Sequence, residues 1–588
     1  MKMKTAWDLK LLYKSDSDPQ IKKDLKKITD LCMAFEKKYK GKAFTVSPQV
    51  LAKALNDYEK LHVEIGGRKP WWYFTLKADL NSSDTNAVAQ ATKCEQIITE
   101  ASNKKKFFFL EVAKIPASKQ GAFLKHPSLA AFRYQLEQVF KHAKYNLSEG
   151  EEQLEDLLGQ TSYTMWVDGQ QKLLNQQTIE FKGKKMPVPE ALGIGASLEK
   201  NDRHALHAKL MTMLKSISHG AEGELNAIVN FKKVMDDRRG YAKPYSSTIL
   251  GYENDEKAIE SFIALVTKNF KMAHRFYALQ ARLFKEKKLS VADRDVQLGT
   301  IKTKFDFETS VSMLRTVLGT IDDEYVGFLD TYLANGEIDV YPKKGKKAGA
   351  YCWGMPGLPT VLLLNHTDDI RSAETIAHEM GHAIHTEMSK RQPSQYRHYT
   401  TSTAEVASTF FEQTIEDEIK KRLTDREKII LLHNKIKGDI TTIFRQVACF
   451  NFETELHNTI RKEGQVSKEK MAEMMRKHLQ SYLGDAVDVT ADDGYFFVFW
   501  PHIRTFFYVY SYAYAQLISK ALYEKWRKDP AYAKKVKQFL LAGRSMSPED
   551  IFKSIGIDTS KTSFFEAGLK GIERDIATLE KLTKNFKK

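Results

Sequence analysis

The chain has 588 residues, 42% hydrophobic and 28% charged, an ordinary globular composition that excludes disorder and exceeds what a single core supports. No apolar run approaches the ~18–20 residues that cross a bilayer. The basic start at Met1-Lys2-Met3-Lys4 is followed by no apolar signal region, so a cytoplasmic protein with no membrane partner is expected. The net charge of +16 comes from lysines spread along the chain, with small clusters at 104–106 and 343–347. Neither cluster is interleaved with the aromatic pattern of an RNA-binding sheet, so the expectation is a solvated basic surface and no nucleic-acid partner. Cys32, Cys94, Cys352 and Cys449 are scattered without CxxC spacing, which argues against a thiolate metal site and a disulfide framework.

In chain order, amphipathic periodicity predicts helices over Gln20–Tyr39, Ser47–Glu64, Asn254–Phe284, Leu431–Arg461 and Ile572–Leu582. Gln177–Phe181 with Lys182-Gly183-Lys184-Lys185 reads as a short hairpin arm. A Gly/Pro-rich stretch, 348–359, runs into Thr360–Asn365, a predicted short strand. That strand is either buried structure or an edge that an extended peptide can join.

Just beyond it, Ile370–Ala377 leads into His378-Glu379-Met380-Gly381-His382. Ser372 is the expected N-cap, with Glu374 in the first turn. Histidines four apart share one helix face and can present two imidazoles to one ion, and Glu379 sits beside them within reach of a water. With 16 His in the chain, chance alone supplies such a motif about 3% of the time, so corroboration is needed. A metzincin extension would need Gly at 385 and His at 388; the residues are His385 and Met388, which excludes that class. Two histidines then call for a carboxylate from another helix. Glu405, in the predicted helix start Thr401–Glu412, is the leading candidate. Glu412 is its rival, and a capping box with Ser402 is the alternative role for Glu405. Asp368, Asp369 and Glu374 either orient ligands or favour the helix N-terminus, and His385 either supports a ligand or packs in the core.

The sequence resembles the oligoendopeptidase F branch of the thimet-oligopeptidase-like metallopeptidases. The resemblance is carried by Trp7-Asp8-Leu9 with Leu12-Tyr13, Leu363–His366, His378–His385, Glu405–Thr409, Pro501-His502 with Phe507–Ala513, and Ala542–Ser545. It implies a mainly α, two-part, elongated helical zincin with a deep central channel and a small β-sheet beside the active-site helix. It also implies one zinc ion on His378, His382 and Glu405, with Glu379 as base. His502 and Tyr508 become candidate donors to the oxyanion, and Tyr510, Tyr512 and Gly354 candidate substrate contacts. Met380 replaces the family's usual Phe or Leu, and Val487–Val498 departs from the family pattern, which leaves the choice among the three tyrosines open.

The expected division is a helical lid or substrate-channel region over 1–195 and a catalytic region over 196–588. The expected activity is cleavage of internal bonds in short unstructured peptides, by a monomer or homodimer. A dipeptidyl carboxypeptidase-type exopeptidase and a non-catalytic peptide- or RNA-binding helical scaffold are the alternatives. Intact His378, Glu379, His382 and Glu405 weigh against the scaffold.

Overall fold

Asp18 and Ser47 accept hydrogen bonds from the first-turn amides of helices Pro19–Tyr39 and Pro48–Glu64, each with proline in the first turn. The caps therefore start these helices where the apolar periodicity placed them. The predicted helix over Asn254–Phe284 is two helices, Glu256–Lys268 and Lys271–Leu283, separated at Asn269, which caps the first. Leu431–Arg461 is likewise divided, by a π-helical turn over Ile440–Arg445. The protein, a computed structural model, is described over residues 3–65, 68–355 and 357–584. Met1 and Lys2 of the basic start and Pro356 of the Gly/Pro-rich stretch lie outside these.

The described residues are mainly α-helical. The strands among them are β1 (Thr178–Phe181), β2 (Lys184–Pro187), β3 (Leu289–Ser290), β4 (Ile338–Asp339), β5 (Tyr351–Trp353), β6 (Val361–Leu363) and β7 (Val487–Asp488). The helices that carry the argument are α1 (Ser218–Arg239), α2 (Ile370–Ser389), α3 (Thr401–Arg422), α4 (Gln446–Glu463) and α5 (Tyr510–Lys528).

Two compact units form, each from three chain segments. The first contains Met1–Glu149, Thr303–Arg422 and Leu522–Gly556, and the second Gly150–Lys302, Leu423–Ala521 and Ile557–Lys588. A linear cut at 195 does not describe them, because long-range contacts tie the N-terminus to the middle of the chain. The Trp7 indole N–H, for instance, donates to the carbonyls of Glu337 and Leu362 at 3.1 and 2.8 Å.

In the first unit, the sheet order is β4-β6-β5. β6 pairs parallel with β4 and antiparallel with β5, in the registers Ile338↔Leu362 and Cys352↔Leu362. The predicted strand after Thr360 is therefore central and buried, with no edge to offer. The edges belong to β4 and β5, and the residues of β5 are half-buried. Trp7, Trp72, Phe74, Val361 and Leu363 share one core cluster, which anchors the sheet beside α2.

The second unit holds the predicted hairpin, paired from Thr178↔Pro187 to Phe181↔Lys184. Lys182 and Gly183 both take positive φ, as a tight turn that follows strand twist requires. β3 and β7 form a two-residue parallel pair. Most of the remainder is helical.

Candidate active site

The helix carrying the histidines is capped by Asp369, not Ser372. The Asp369 carboxylate accepts from the Ser372 N–H and from the Ser372 hydroxyl, at 2.8 and 2.9 Å. Ser372 sits three positions into the helix, where its hydroxyl also accepts from the Thr367 N–H. One turn of α2 separates His378 from His382 and sets their ring centroids 5.0 Å apart.

Glu405 reaches both histidines because α2 and α3 approach closely at Gly381. A Cβ there would lie 2.7 Å from Ser408 Cα and 3.0 Å from the Ala407 carbonyl oxygen, so only glycine fits. Glu405 Oε2 lies 3.4 Å from His378 Nε2 and 3.7 Å from His382 Nε2. Two ligands of a tetrahedral ion with bonds of about 2.0–2.1 Å lie roughly 3.4 Å apart, so these three atoms suit one ion. The Ser408 hydroxyl donates to the same carboxylate oxygen at 3.2 Å. Glu405 is thus turned to the histidines, and its rival Glu412 is on the opposite side of the His378 ring. Glu412 Oε2 lies 2.8 Å from His378 Nδ1, in place to hold that N–H and leave Nε2 as the ligand atom. Seven residues apart on α3, the two carboxylates grip the two nitrogens of one imidazole.

The electrostatics agree with a cation site. Burial disfavours the charge on Glu405, but the His378 hydrogen bond and the charges of both histidines outweigh it and bring the carboxyl to about 2. Burial likewise opposes charge on His378, yet Glu405 and Glu412 raise it to about 10. His382 is held neutral, at about 4, chiefly by burial. The carboxylates thus make the cluster a place that favours positive charge.

Glu379 is buried, 6% exposed, and burial raises it to about 7 against the opposing charge of His378. Its Oε2 has no protein partner among the described residues. A buried carboxyl beside the ligands, poised near neutrality and with an idle oxygen, suits proton transfer.

The neighbours sort out clearly. His385 packs in the core, its ring stacked 3.8 Å from Tyr399. Glu374 is raised to about 8 by burial and then by Glu412 and Glu416. Gly354 is required by packing, since a Cβ there would fall 2.4 Å from Thr386 Cγ2 of α2. Sequence reading missed the packing roles of Gly381 and Gly354. The small residue inside the motif was the available signal for Gly381.

In the second unit, Tyr508 Oη lies 2.5 Å from His502 Nδ1, and the Tyr512 hydroxyl donates to Tyr508 at 3.4 Å. Burial, and then Arg445, lowers His502 to about 4, so its ring is neutral. When Tyr508 donates into Nδ1, the outward donor is the His502 Nε2–H; when Nδ1 donates, it is the Tyr508 O–H. Tyr510 is turned away from this pair. It is fully buried and its hydroxyl donates to Asn254 at 2.8 Å, so it presents no surface to a substrate.

The segment is anchored from behind. Arg504 makes a buried bidentate pair with Glu224 of α1, at 3.0 and 2.7 Å, and also donates to the carbonyls of Phe497 and Trp500. Phe506 and Phe507 then take φ of 39° and 63°. For non-glycine residues this left-handed backbone costs about 1 kcal/mol or more each.

The sequence model described as Peptidase family M3 matches residues 228–571, more than half of the chain, and that described as Oligopeptidase F matches 111–173. The chain belongs to peptidase family M3. It is therefore a peptidase of a metallo-endopeptidase family, and the His378/His382/Glu405 cluster is its candidate metal site. Oligopeptidase PepF of Bacillus subtilis is 24% identical, aligned over 100% of this chain and 88% of that protein. An oligoendopeptidase F homolog of Borreliella burgdorferi is 25% identical over 95% of each chain. Among solved structures, a putative peptidase from Chlamydophila abortus has the same fold, with a TM-score of 0.83 and 20% identity over 98% of both chains. Oligoendopeptidase-F from Enterococcus faecium matches with a TM-score of 0.72 and 18% identity over 96% of this chain and 99% of that one. No helix among the described residues of this M3 chain is long and apolar enough to cross a membrane.

Proposed function

We propose that this M3 peptidase is a zinc-dependent oligoendopeptidase that hydrolyses internal bonds of short, unstructured peptides. The observation that carries the reading is the convergence of His378, His382 and Glu405 beside the buried Glu379, with Glu412 behind His378. Two imidazoles and one carboxylate are a catalytic zinc donor set, and zinc bound there supplies Lewis acidity and brings a water's pKa toward ~7.

The protein's own part is proton handling and charge stabilisation. Glu379 Oε2 takes the proton of the attacking water and passes it to the leaving amine. Glu412 keeps the His378 ring oriented by holding Nδ1–H. The His502–Tyr508 pair is assigned the developing oxyanion, as a neutral donor in a hydrogen-bonded chain from Tyr512. As an edge strand beside the metal helix, β5 suits an extended peptide backbone, since strand addition is indifferent to side chains.

The test is hydrolysis of an internally quenched peptide with both ends blocked, alongside zinc analysis. Cleavage abolished by chelation and restored by zinc is expected, together with loss of turnover and retention of zinc in Glu379→Gln. Cleavage only of peptides with a free C-terminus would favour the dipeptidyl carboxypeptidase alternative. Degradation of a folded protein at a similar rate would contradict the restriction to short peptides.

A further inference from the structure

The second unit contains two buried titratable side chains with no part in the reaction described above, Glu453 and His457, one turn apart on α4 and both 0% exposed. Both face the Phe506–Phe507 turn. Glu453 Oε1 accepts the Phe507 N–H at 2.8 Å, and Glu453 Oε2 has no partner among the described residues. The His457 ring lies 5.2 Å from the Phe506 ring and 4.7 Å from the Phe507 ring, with neither nitrogen hydrogen-bonded among the described residues. On other sides, the Thr248 hydroxyl donates to the Phe506 carbonyl at 3.0 Å and Lys232 Nζ lies 5.8 Å from the Phe506 ring.

This turn has two consecutive non-glycine residues at positive φ and is followed at once by Tyr508. Strained backbone persists only where its surroundings over-determine it. The Phe507 amide is buried, so without Glu453 it would lose its acceptor and the turn one of its holds. We propose that Glu453 is a positioning residue: by holding the Phe507 amide it keeps the Phe506–Phe507 turn left-handed and so aims the Tyr508 hydroxyl at His502 Nδ1. The proposal rests on the reading that Tyr508 serves the reaction.

Burial raises Glu453 to about 8, against the Phe507 hydrogen bond and the charge of Lys232. At neutral pH it is thus mainly the protonated acid, whose carbonyl oxygen does the accepting. Glutamine reproduces that carbonyl at the same place, which makes Glu453→Gln the rescue variant and Glu453→Leu the variant that removes the acceptor.

The experiment is steady-state kinetics on a quenched peptide for the zinc-loaded full chain and the variants Glu453→Leu, Glu453→Gln, Tyr508→Phe and Glu453→Leu/Tyr508→Phe. Glu453→Leu should lose about 10- to 100-fold in kcat with KM within about threefold, as a misplacement of the order of 1 Å does. Glu453→Gln should recover most of that loss. The double variant should be no slower than Tyr508→Phe, because the turn then aims a group that is already missing. A crystal structure of Glu453→Leu should show Phe506 or Phe507 out of positive φ.

Losses that multiply in the double variant, or a Glu453→Gln as slow as Glu453→Leu, overturn the proposal. Full activity of Glu453→Leu alongside a slow Tyr508→Phe overturns it too, while full activity of Tyr508→Phe overturns the role of Tyr508. Should Glu453→Leu fail to fold, Thr248→Val removes the opposite hold and should lower kcat in the same non-additive way; additive losses there also overturn the proposal.

Discussion

His378 and His382 occupy one face of a regular helix, and their spacing follows from helix geometry alone. His502 and Tyr508, by contrast, are brought to 2.5 Å across a turn whose backbone no sequence rule for phenylalanine would choose. The metal helix meets its partner most closely at Gly381, against Ser408 and Ala407. The aromatic segment needs Glu224, Thr248, Glu453 and Asn254, drawn from elsewhere in its unit, to hold Arg504, Phe506, Phe507 and Tyr510. A site built on local periodicity can be read from a short motif, whereas a site built on strain is distributed among residues far apart in sequence.

The largest effect should come from the metal side. Glu405→Ala removes one of the three proposed ligands and should lose zinc together with about 10³-fold or more in kcat, as several kcal/mol of transition-state stabilisation goes with the ion. Zinc bound at full stoichiometry in that variant, measured by mass spectrometry, would move the third ligand elsewhere. Next, Tyr508→Phe should reduce kcat by about 10²-fold, the worth of one well-placed donor, with zinc retained. A near-unchanged kcat would leave the His502 Nε2–H as the operative donor.

Glu412→Gln should have a smaller effect, about 10- to 100-fold in zinc affinity, because it weakens only the grip on His378 Nδ1. Competition with a chelator measures it, and an unchanged affinity would make Glu412 merely a neighbour. The smallest effect sharpens the aromatic side: Tyr510→Phe should cost about 1 kcal/mol of stability through the lost bond to Asn254. KM should hold within about twofold, given that this hydroxyl is satisfied internally. A large rise in KM would return Tyr510 to the substrate site.

Some features of the fold were legible for the same local reasons. Helices at Pro19–Tyr39 and Pro48–Glu64 and the hairpin at Thr178–Pro187 carry their own caps and turn chemistry. The long periodic stretch over Asn254–Phe284 was misread as one helix, because apolar spacing continues across the cap at Asn269. The strand after Thr360 was legible as a strand, but its place in the sheet depended on Ile338 and Cys352 pairing on either side.

Sequence alone determined the motif, the pairing of two imidazoles on one face, the position of Glu379 beside them and the mainly helical class, all set by covalent spacing and helix period. Tertiary structure decided which nitrogen of His378 each of Glu405 and Glu412 faces, the capping by Asp369 rather than Ser372, the inward turn of Tyr510 and the hold of Glu453 on Phe507. The physical reason is that spacing assigns side chains to a face, while only packing sets how closely two faces approach. On α2 that approach is decided at Gly381, where a single methyl group would collide with Ser408 and push Glu405 away from the histidines.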